Sequence, residues 1–234
     1  FVISPYNCGM AEPTFINAFS QTVEILPPES ALLVIDMQNA TGNRHLGLGK
    51  LLQEAGSAEG ANYRFDRIEN LLVPNIDKLL ASFRKNCAGV IYITYGAETS
   101  DARDVVSTIR AIVKKTNNIV GNEEHKIVEE LQPMDDELVL NKTTQGAFRS
   151  TRLDSVLRAM NIKTVVCVGV STNNCVAMTA MEASDLQYNV VIVSDATGTD
   201  SEEMQNSSLV MLGRLWSKIL TTEEVIQAVD SYSP

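Results

Sequence analysis

The sequence predicts an α/β domain built as a three-layer, doubly wound six-stranded parallel sheet with helices on both faces. Short apolar runs recur along the chain, and they are continuous rather than alternating, as strands covered on both faces require. Stretches with apolar residues at helical spacing separate them, and that alternation is the pattern of a wound sheet. Three of the runs also end in a single reactive side chain. Residues 31–35 (Ala-Leu-Leu-Val-Ile) run into Asp36, residues 137–141 run into Lys142, and residues 165–170 run into a turn that carries Cys175. Reactive groups gathered at the carboxyl ends of strands are the layout of an open α/β site.

Each element follows from its residues. The first strand is 32–35. Residues 42–60, rich in glycine and polar side chains, read as a long loop beside the site. Residues 62–86 read as a helix, with Ile68, Leu71, Leu72, Ile76, Leu79, Leu80 and Phe83 at helical spacing. Pro74 within it predicts either a kink or two consecutive helices. The second strand is 89–95 and the third 138–140. Between them lies a polar stretch, 101–121, with a helical segment around 105–113. Helix 150–160 leads into strand 164–168, helix 174–186 into strand 190–193, and helix 202–215 into the short strand 218–220. A last helix, 222–229, opens with Thr222 as its cap. Residues 1–29 form an extension ahead of the domain at 30–234, and no repeat, low-complexity tract or linker divides the chain.

Composition narrows the class of function. With 234 residues, 44% of them hydrophobic, the chain is long enough to bury a sizeable core. Its net charge of −10 argues against a nucleic acid or an anionic membrane as partner, since both require basic surface. No apolar run approaches the length of a membrane span, and residues 1–30 lack the basic-then-apolar pattern of a signal peptide. Cys8, Cys87, Cys167 and Cys175 show neither paired spacing nor neighbouring histidines, which suits free thiols in a reducing cytoplasm.

The run Gly169-Val170-Ser171-Thr172-Asn173-Asn174-Cys175-Val176 reads as a strand, a sharp turn and a helix start. At that position a helix N-terminus lowers thiol pKa and offers backbone N–H groups to a developing oxyanion. Cys167, in mid-strand, reads instead as a small core residue. Gln38, Tyr95, Thr144 and Phe148 lie at strand ends and are candidates for lining a substrate pocket. Arg149 is a further candidate for a substrate carboxylate or a solvent-facing residue. Tyr63-Arg64-Phe65-Asp66-Arg67 reads as an inter-helix or subunit contact.

Asp36-Met37-Gln38, Lys142 with Gly146-Ala147-Phe148, and the Gly169–Val176 run together resemble the isochorismatase-like cysteine hydrolases. That superfamily includes nicotinamidases, N-carbamoylsarcosine amidase, and ureidoacrylate and biuret hydrolases. The resemblance spans roughly residues 30 to 220 with the motifs in order. It implies a six-stranded parallel sheet and an Asp-Lys-Cys triad of Asp36, Lys142 and Cys175. It further implies a cis peptide between Val170 and Ser171, an oxyanion hole formed by the backbone N–H groups of Ser171 and Cys175, and a homo-oligomer, dimer or tetramer.

The activity implied is cleavage of a C–N bond in a small amide, carbamoyl or ureido compound through a thioester. A thiol near pKa 8.5 is mostly protonated at neutral pH and needs a base, here Asp36, with Lys142 keeping that base ionised. Nicotinamidases of the superfamily carry a metal held by an Asp and two His. Here the two histidines, His45 and His125, lie far apart with no Asp-x-His pattern, so neither a metal nor another cofactor is expected. The alternatives are an isochorismatase-type vinyl ether hydrolase, which does not need thiol attack, and a non-catalytic binding module on the same scaffold. The stretch Asn39-Ala40-Thr41-Gly42 departs from the Asp-Phe of many relatives, and the insertion continuing to Asn62 lies where a pocket lid belongs.

Overall fold

The apolar runs pair edge to edge into one sheet whose strands follow the expected order along the chain. A computed structural model describes residues 22–233, so Cys8 and most of the 1–29 extension lie outside the described residues. The strands are β1 (Ser30–Ile35), β2 (Gly89–Tyr95), β3 (Leu138–Lys142), β4 (Thr164–Val170), β5 (Asn189–Gly198) and β6 (Lys218–Leu220). All pairings are parallel, in the spatial order β3-β2-β1-β4-β5-β6. The chain winds outward from β1 to β3, then returns to the other side of β1 for β4. The order therefore reverses between β1 and β4, and a crevice at their carboxyl ends follows from that reversal.

Alternation of side chains along the strands divides the core into two layers. Leu32, Val34, Tyr92, Val166 and Val168 face one way. They pack under α3 (Asn62–Arg67), α4 (Val73–Lys85) and the last helix, α9 (Thr222–Asp230), through Phe65, Leu72, Ile76, Leu79, Phe83, Val225 and Val229. Ala31, Leu33, Ile35, Ile93, Val165, Cys167 and Ile192 face the other way. Over them lie α6 (Leu153–Ala159), α7 (Ala177–Asp185) and α8 (Glu202–Leu215). Full burial of each such Leu, Ile, Val or Phe contributes about 1.5–3 kcal/mol, so both faces of the sheet are well anchored. A smaller cluster around Tyr95, Val105, Ile109 and Val113 seats α5 (Ser107–Lys115) beyond the end of β2. Ile25 is buried in the first layer, and the Thr164 hydroxyl donates to the Glu24 carbonyl at 2.9 Å, so packing begins before Ser30.

Several expectations need correction. Residues 42–60 are not one loop: they hold the end of α1 (Asn39–Gly42), then α2 (Gly47–Glu54) and a 3-10 turn, Ala58–Ala61. Two of the glycines that suggested a loop, Gly47 and Gly49, serve close packing: a Cβ on Gly49 would stand 2.2 Å from the Arg44 carbonyl oxygen. Residues 62–85 form α3 and α4 joined by a π-helical turn, Ile68–Leu72, which absorbs Pro74 at the start of α4 without a break. The cap of α9 is Thr221, not Thr222. Its side chain accepts from the Glu224 N–H, and Glu224 returns a bond to the Thr221 N–H, a reciprocal capping box.

Candidate active site

Two backbone features bring three distant residues together. Asp36 directly follows β1 with a left-handed φ of 54°, a conformation that Asp tolerates better than most residues. Its N–H donates to the Ile93 carbonyl at 2.8 Å, which turns the side chain off the sheet at the β1/β2 edge. On the other side of β1, Gly169 has φ 109° and presses on Ile35: a Cβ there would lie 2.0 Å from the Ile35 carbonyl oxygen. Only glycine lets β4 approach β1 so closely just before the turn that carries Cys175. Register finishes the arrangement, because Lys142 ends β3 opposite Tyr95.

The Lys142 ammonium donates to Asp36 Oδ2 at 2.9 Å, and both side chains are buried. Lys142 also reaches the Thr144 carbonyl at 3.3 Å and lies 5.0 Å from the centre of the Tyr95 ring. Cys175 is 8% exposed and stands against this pair, close enough for both charges to act on its thiol. The second carboxylate oxygen, Asp36 Oδ1, is buried with no hydrogen-bond partner among the described residues. Burial raises the Asp36 pKa, while Lys142, and less strongly Cys175, pull it down. Burial opposes the charge on Lys142, but Asp36 and Cys175 outweigh it and leave the lysine pKa raised overall.

The thiol differs from the expectation drawn from its helix start. Burial, followed by the Asp36 charge, pushes Cys175 up to about 12, so the resting group is a protonated thiol. Burial is the largest influence on this thiol, and it acts against the charged form.

Cys175 sits in a π-helical turn, Thr172–Val176, that continues into α7. The Ser171 carbonyl accepts from the N–H groups of Asn174 (2.9 Å) and Val176 (3.2 Å), and passes over that of Cys175. The Val170–Ser171 peptide is cis. Side chains hold the turn from behind: the Thr172 hydroxyl donates to Gln205 Oε1 at 2.7 Å, and the Thr199 hydroxyl donates to Asn173 Oδ1 at 2.7 Å.

Of the pocket candidates, Tyr95 alone has a described contact with the buried pair through its side chain. Gln38 is fully buried and its amide is committed elsewhere. It accepts from the Tyr95 N–H (2.9 Å) and donates to the carbonyls of Tyr95 (3.1 Å) and His125 (2.7 Å), tying three loops together. The Thr144 hydroxyl is engaged within its own loop, with the Gly146 carbonyl and the Ser150 hydroxyl, both at 2.7 Å. The Phe148 ring packs on Tyr188 at 5.9 Å, just before β5 begins. Arg149 is exposed. The geometry thus gives Gln38, Thr144 and Phe148 supporting positions around the Asp36–Lys142 pair and Cys175.

Arg64, read from the sequence as a helix contact, reaches the turn instead. Its guanidinium donates to Ser171 Oγ at 2.9 Å. Its helix reads Asn-Tyr-Arg-Phe-Asp-Arg over 62–67, and nothing in that local pattern sets Arg64 apart from Arg67. Among the described residues, no group of three or more His, Cys, Asp and Glu side chains comes together to hold a metal, and no helix is long and apolar enough to cross a membrane.

The isochorismatase domain family matches residues 30–224. Ureidoacrylate amidohydrolase RutB of Agrobacterium fabrum is 26% identical over 236 residues, covering 94% of this chain and 98% of that protein. A cysteine hydrolase from Pseudomonas syringae pv. phaseolicola shares the fold with a TM-score of 0.74 at 24% identity, covering 95% of this chain and 99% of the other. N-carbamoylsarcosine amidase from Thermoplasma acidophilum shares it with a TM-score of 0.63 at 23% identity, covering 83% and 97%.

Proposed function

The chain belongs to the isochorismatase family, and from that premise we propose that it is a metal-independent cysteine hydrolase cleaving a C–N bond in a small amide, carbamoyl or ureido compound. The observation that carries this reading is the buried Asp36–Lys142 pair at 2.9 Å with one Asp36 oxygen left unpartnered beside the Cys175 thiol. A buried acceptor without a donor is costly, roughly 1–3 kcal/mol, unless a donor arrives during function. The thiol proton is that donor. The names of the relatives, an amidohydrolase and a carbamoyl amidase, support the substrate class.

In the proposed reaction Asp36 takes the thiol proton as Sγ attacks the substrate carbonyl carbon. Lys142 remains charged and balances the pair as the carboxylate becomes neutral and the sulfur electron pair enters the new bond. The oxygen that gains charge is held by the N–H groups of Ser171 and Cys175. Collapse breaks the C–N bond, and Asp36 returns its proton to the departing ammonia or amine, leaving a thioester. Asp36 then draws a proton from water, whose oxygen attacks the thioester. The acid leaves and the proton returns to sulfur. Because the thiol is protonated at rest, thiolate forms only when a carbonyl is present to accept its electrons.

The homo-oligomer, dimer or tetramer, belongs to the same reading. It is supported by exposed apolar side chains on α8, where Met204, Met211 and Leu215 share one side of the helix. Unpaired Cys87, Cys167 and Cys175 support a cytoplasmic setting.

The test is ammonia release from a panel of primary amides, carbamoyl compounds and ureides, run beside Cys175→Ala. Release that depends on Cys175 is the expected result. Silence across the panel with turnover of a vinyl ether, equal in both proteins, overturns the thiol mechanism.

A further inference from the structure

A buried guanidinium spans the two loops that build the site. Arg64 is 4% exposed, and an arginine so deep in a fold is unfavourable unless its donors are satisfied. Its Nε and Nη2 donate to the Thr41 carbonyl at 3.2 and 3.1 Å. The Thr41 hydroxyl in turn donates to the Asp36 carbonyl at 2.9 Å. From the same group, Nη1 donates to Ser171 Oγ and to Asp200 Oδ1, each at 2.9 Å. One planar fork therefore connects the loop that carries the base to the turn that presents the Ser171 N–H. The carboxylate on it does not explain its burial, because Asp200 is 60% exposed and an ion pair to so open a group is screened by water. The two neutral acceptors lie on half-buried residues, less open than Asp200, one in the loop after Asp36 and one at the turn that carries Cys175.

We propose that Arg64 is a positioning residue that sets the oxyanion turn relative to the base loop; the proposal rests on the thiol mechanism above. It acts through Ser171 and Thr41, without touching the reacting atoms. An oxyanion donor works only within a few tenths of an ångström of its place, so a loosened turn loses stabilisation while the thiol stays intact. Lysine cannot replace the fork, since one ammonium on a flexible stem does not reproduce the planar set of donors.

The experiment separates oxyanion stabilisation from thiol reactivity without needing the natural substrate. Acetaldehyde labelled at C1 with carbon-13 forms a thiohemiacetal with Cys175: the S–C bond forms, the carbonyl oxygen gains the electron pair, and the thiol proton is transferred to Asp36 or to that oxygen. Its dissociation constant is read by carbon NMR. Iodoacetamide alkylates the same sulfur with loss of iodide and no oxyanion, and its rate is read by mass on the peptide carrying Cys175. In Arg64→Met, Arg64→Lys and Ser171→Ala the adduct weakens about 10- to 100-fold, less than the roughly 10²–10³ expected for loss of a donor outright. Alkylation stays within about twofold of the parent, and Arg64→Met with Ser171→Ala is no worse than the weaker single variant, because both cut one connection. An adduct as tight as the parent's in Arg64→Met and Ser171→Ala overturns the proposal, as does a parallel fall in adduct and alkylation. Should Arg64→Met fail to fold, Ser171→Ala decides alone. A parent protein alkylated normally but forming no adduct, or reacting with neither reagent, overturns the thiol mechanism and the Arg64 role together.

Discussion

Cys167 and Cys175 lie in the same apolar cluster, eight residues apart, and burial pushes both thiols up to about 12. Proton affinity therefore does not distinguish them. Their neighbours do. Cys167, in mid-strand, is shifted by burial alone, whereas Cys175 also responds to Asp36 and Lys142. The interior of β4 supplies nothing that could take a proton, whereas the turn beyond its end brings Cys175 to Asp36, at the end of β1, a carboxylate with one oxygen unpartnered among the described residues. In the proposed mechanism a high thiol pKa next to a carboxylate marks the nucleophile, and the same pKa without one marks core packing.

Exchanging these roles by mutation is the most direct attack on that contrast. Cys175→Ser is expected to reduce Cys-dependent ammonia release to background while the thermal unfolding temperature stays close to the parent's, since a hydroxyl fits the site but is a far poorer nucleophile. Substantial activity in that variant would erase the distinction between the two cysteines.

Next in size is Lys142→Met. Removing one partner of a buried pair costs about 3–5 kcal/mol, which a urea midpoint measures. Activity falls as well, because burial then raises the Asp36 pKa unopposed by its largest counter-charge and the base is neutralised. Unchanged turnover would mean that Asp36 does not need its lysine.

Cys167→Ala should leave turnover unaltered and cost about 1–3 kcal/mol of stability, the usual range for loss of a buried contact. Any marked drop in rate would show that mid-strand packing reaches the chemistry.

Alkaline titration sharpens the comparison at its finest level. In the unfolded chain a thiol loses its proton near 9.0, and in the folded protein Cys167 keeps it until about 12. The folded state holds more protons across that window, so stability falls as pH rises through it, by about 1.4 kcal/mol per pH unit for each such thiol. Urea midpoints between pH 9 and 10 should decline less steeply in Cys167→Ala than in the parent. Parallel slopes would mean that Cys167 titrates normally in the folded state.

The same contrast explains what the sequence disclosed. β2, α8 and β6 carry their period in their own residues, and the expected bounds 89–95, 202–215 and 218–220 match those observed. The doubly wound parallel sheet follows from the alternation of period and the rule for crossovers. Segments governed by distant contacts were harder to read. β5 continues through Ser194, Asp195 and Thr197 to Gly198, past its apolar run, because an irregularity opposite Cys167 and Gly169 in β4 resets the register. Neither π-helical turn has a marker in a 3.6-residue period. At the candidate site, the meeting of Asp36, Lys142 and Cys175 was legible because Asp36 and Lys142 stand at the ends of apolar strands and Cys175 in the turn that follows one. The engagement of Gln38 with Tyr95 and His125, and of Arg64 with Thr41 and Ser171, depends on partners between 23 and 107 residues away, and local pattern does not encode such pairs.

The strand order also imposes a timetable on biosynthesis. β1 is hydrogen-bonded on one side by β2 and on the other by β4. A nascent chain emerging from the ribosome can pair β1, β2 and β3 and join Asp36 to Lys142, yet β1 keeps an open edge until residues 164–170 arrive. The segment that closes this edge runs directly into the turn bearing Cys175, at position 175 of 234. Sealing the sheet and bringing the thiol to Asp36 are thus successive steps of one docking event, and a chain that stops short of that turn carries the Asp36–Lys142 pair with no Cys175 beside it.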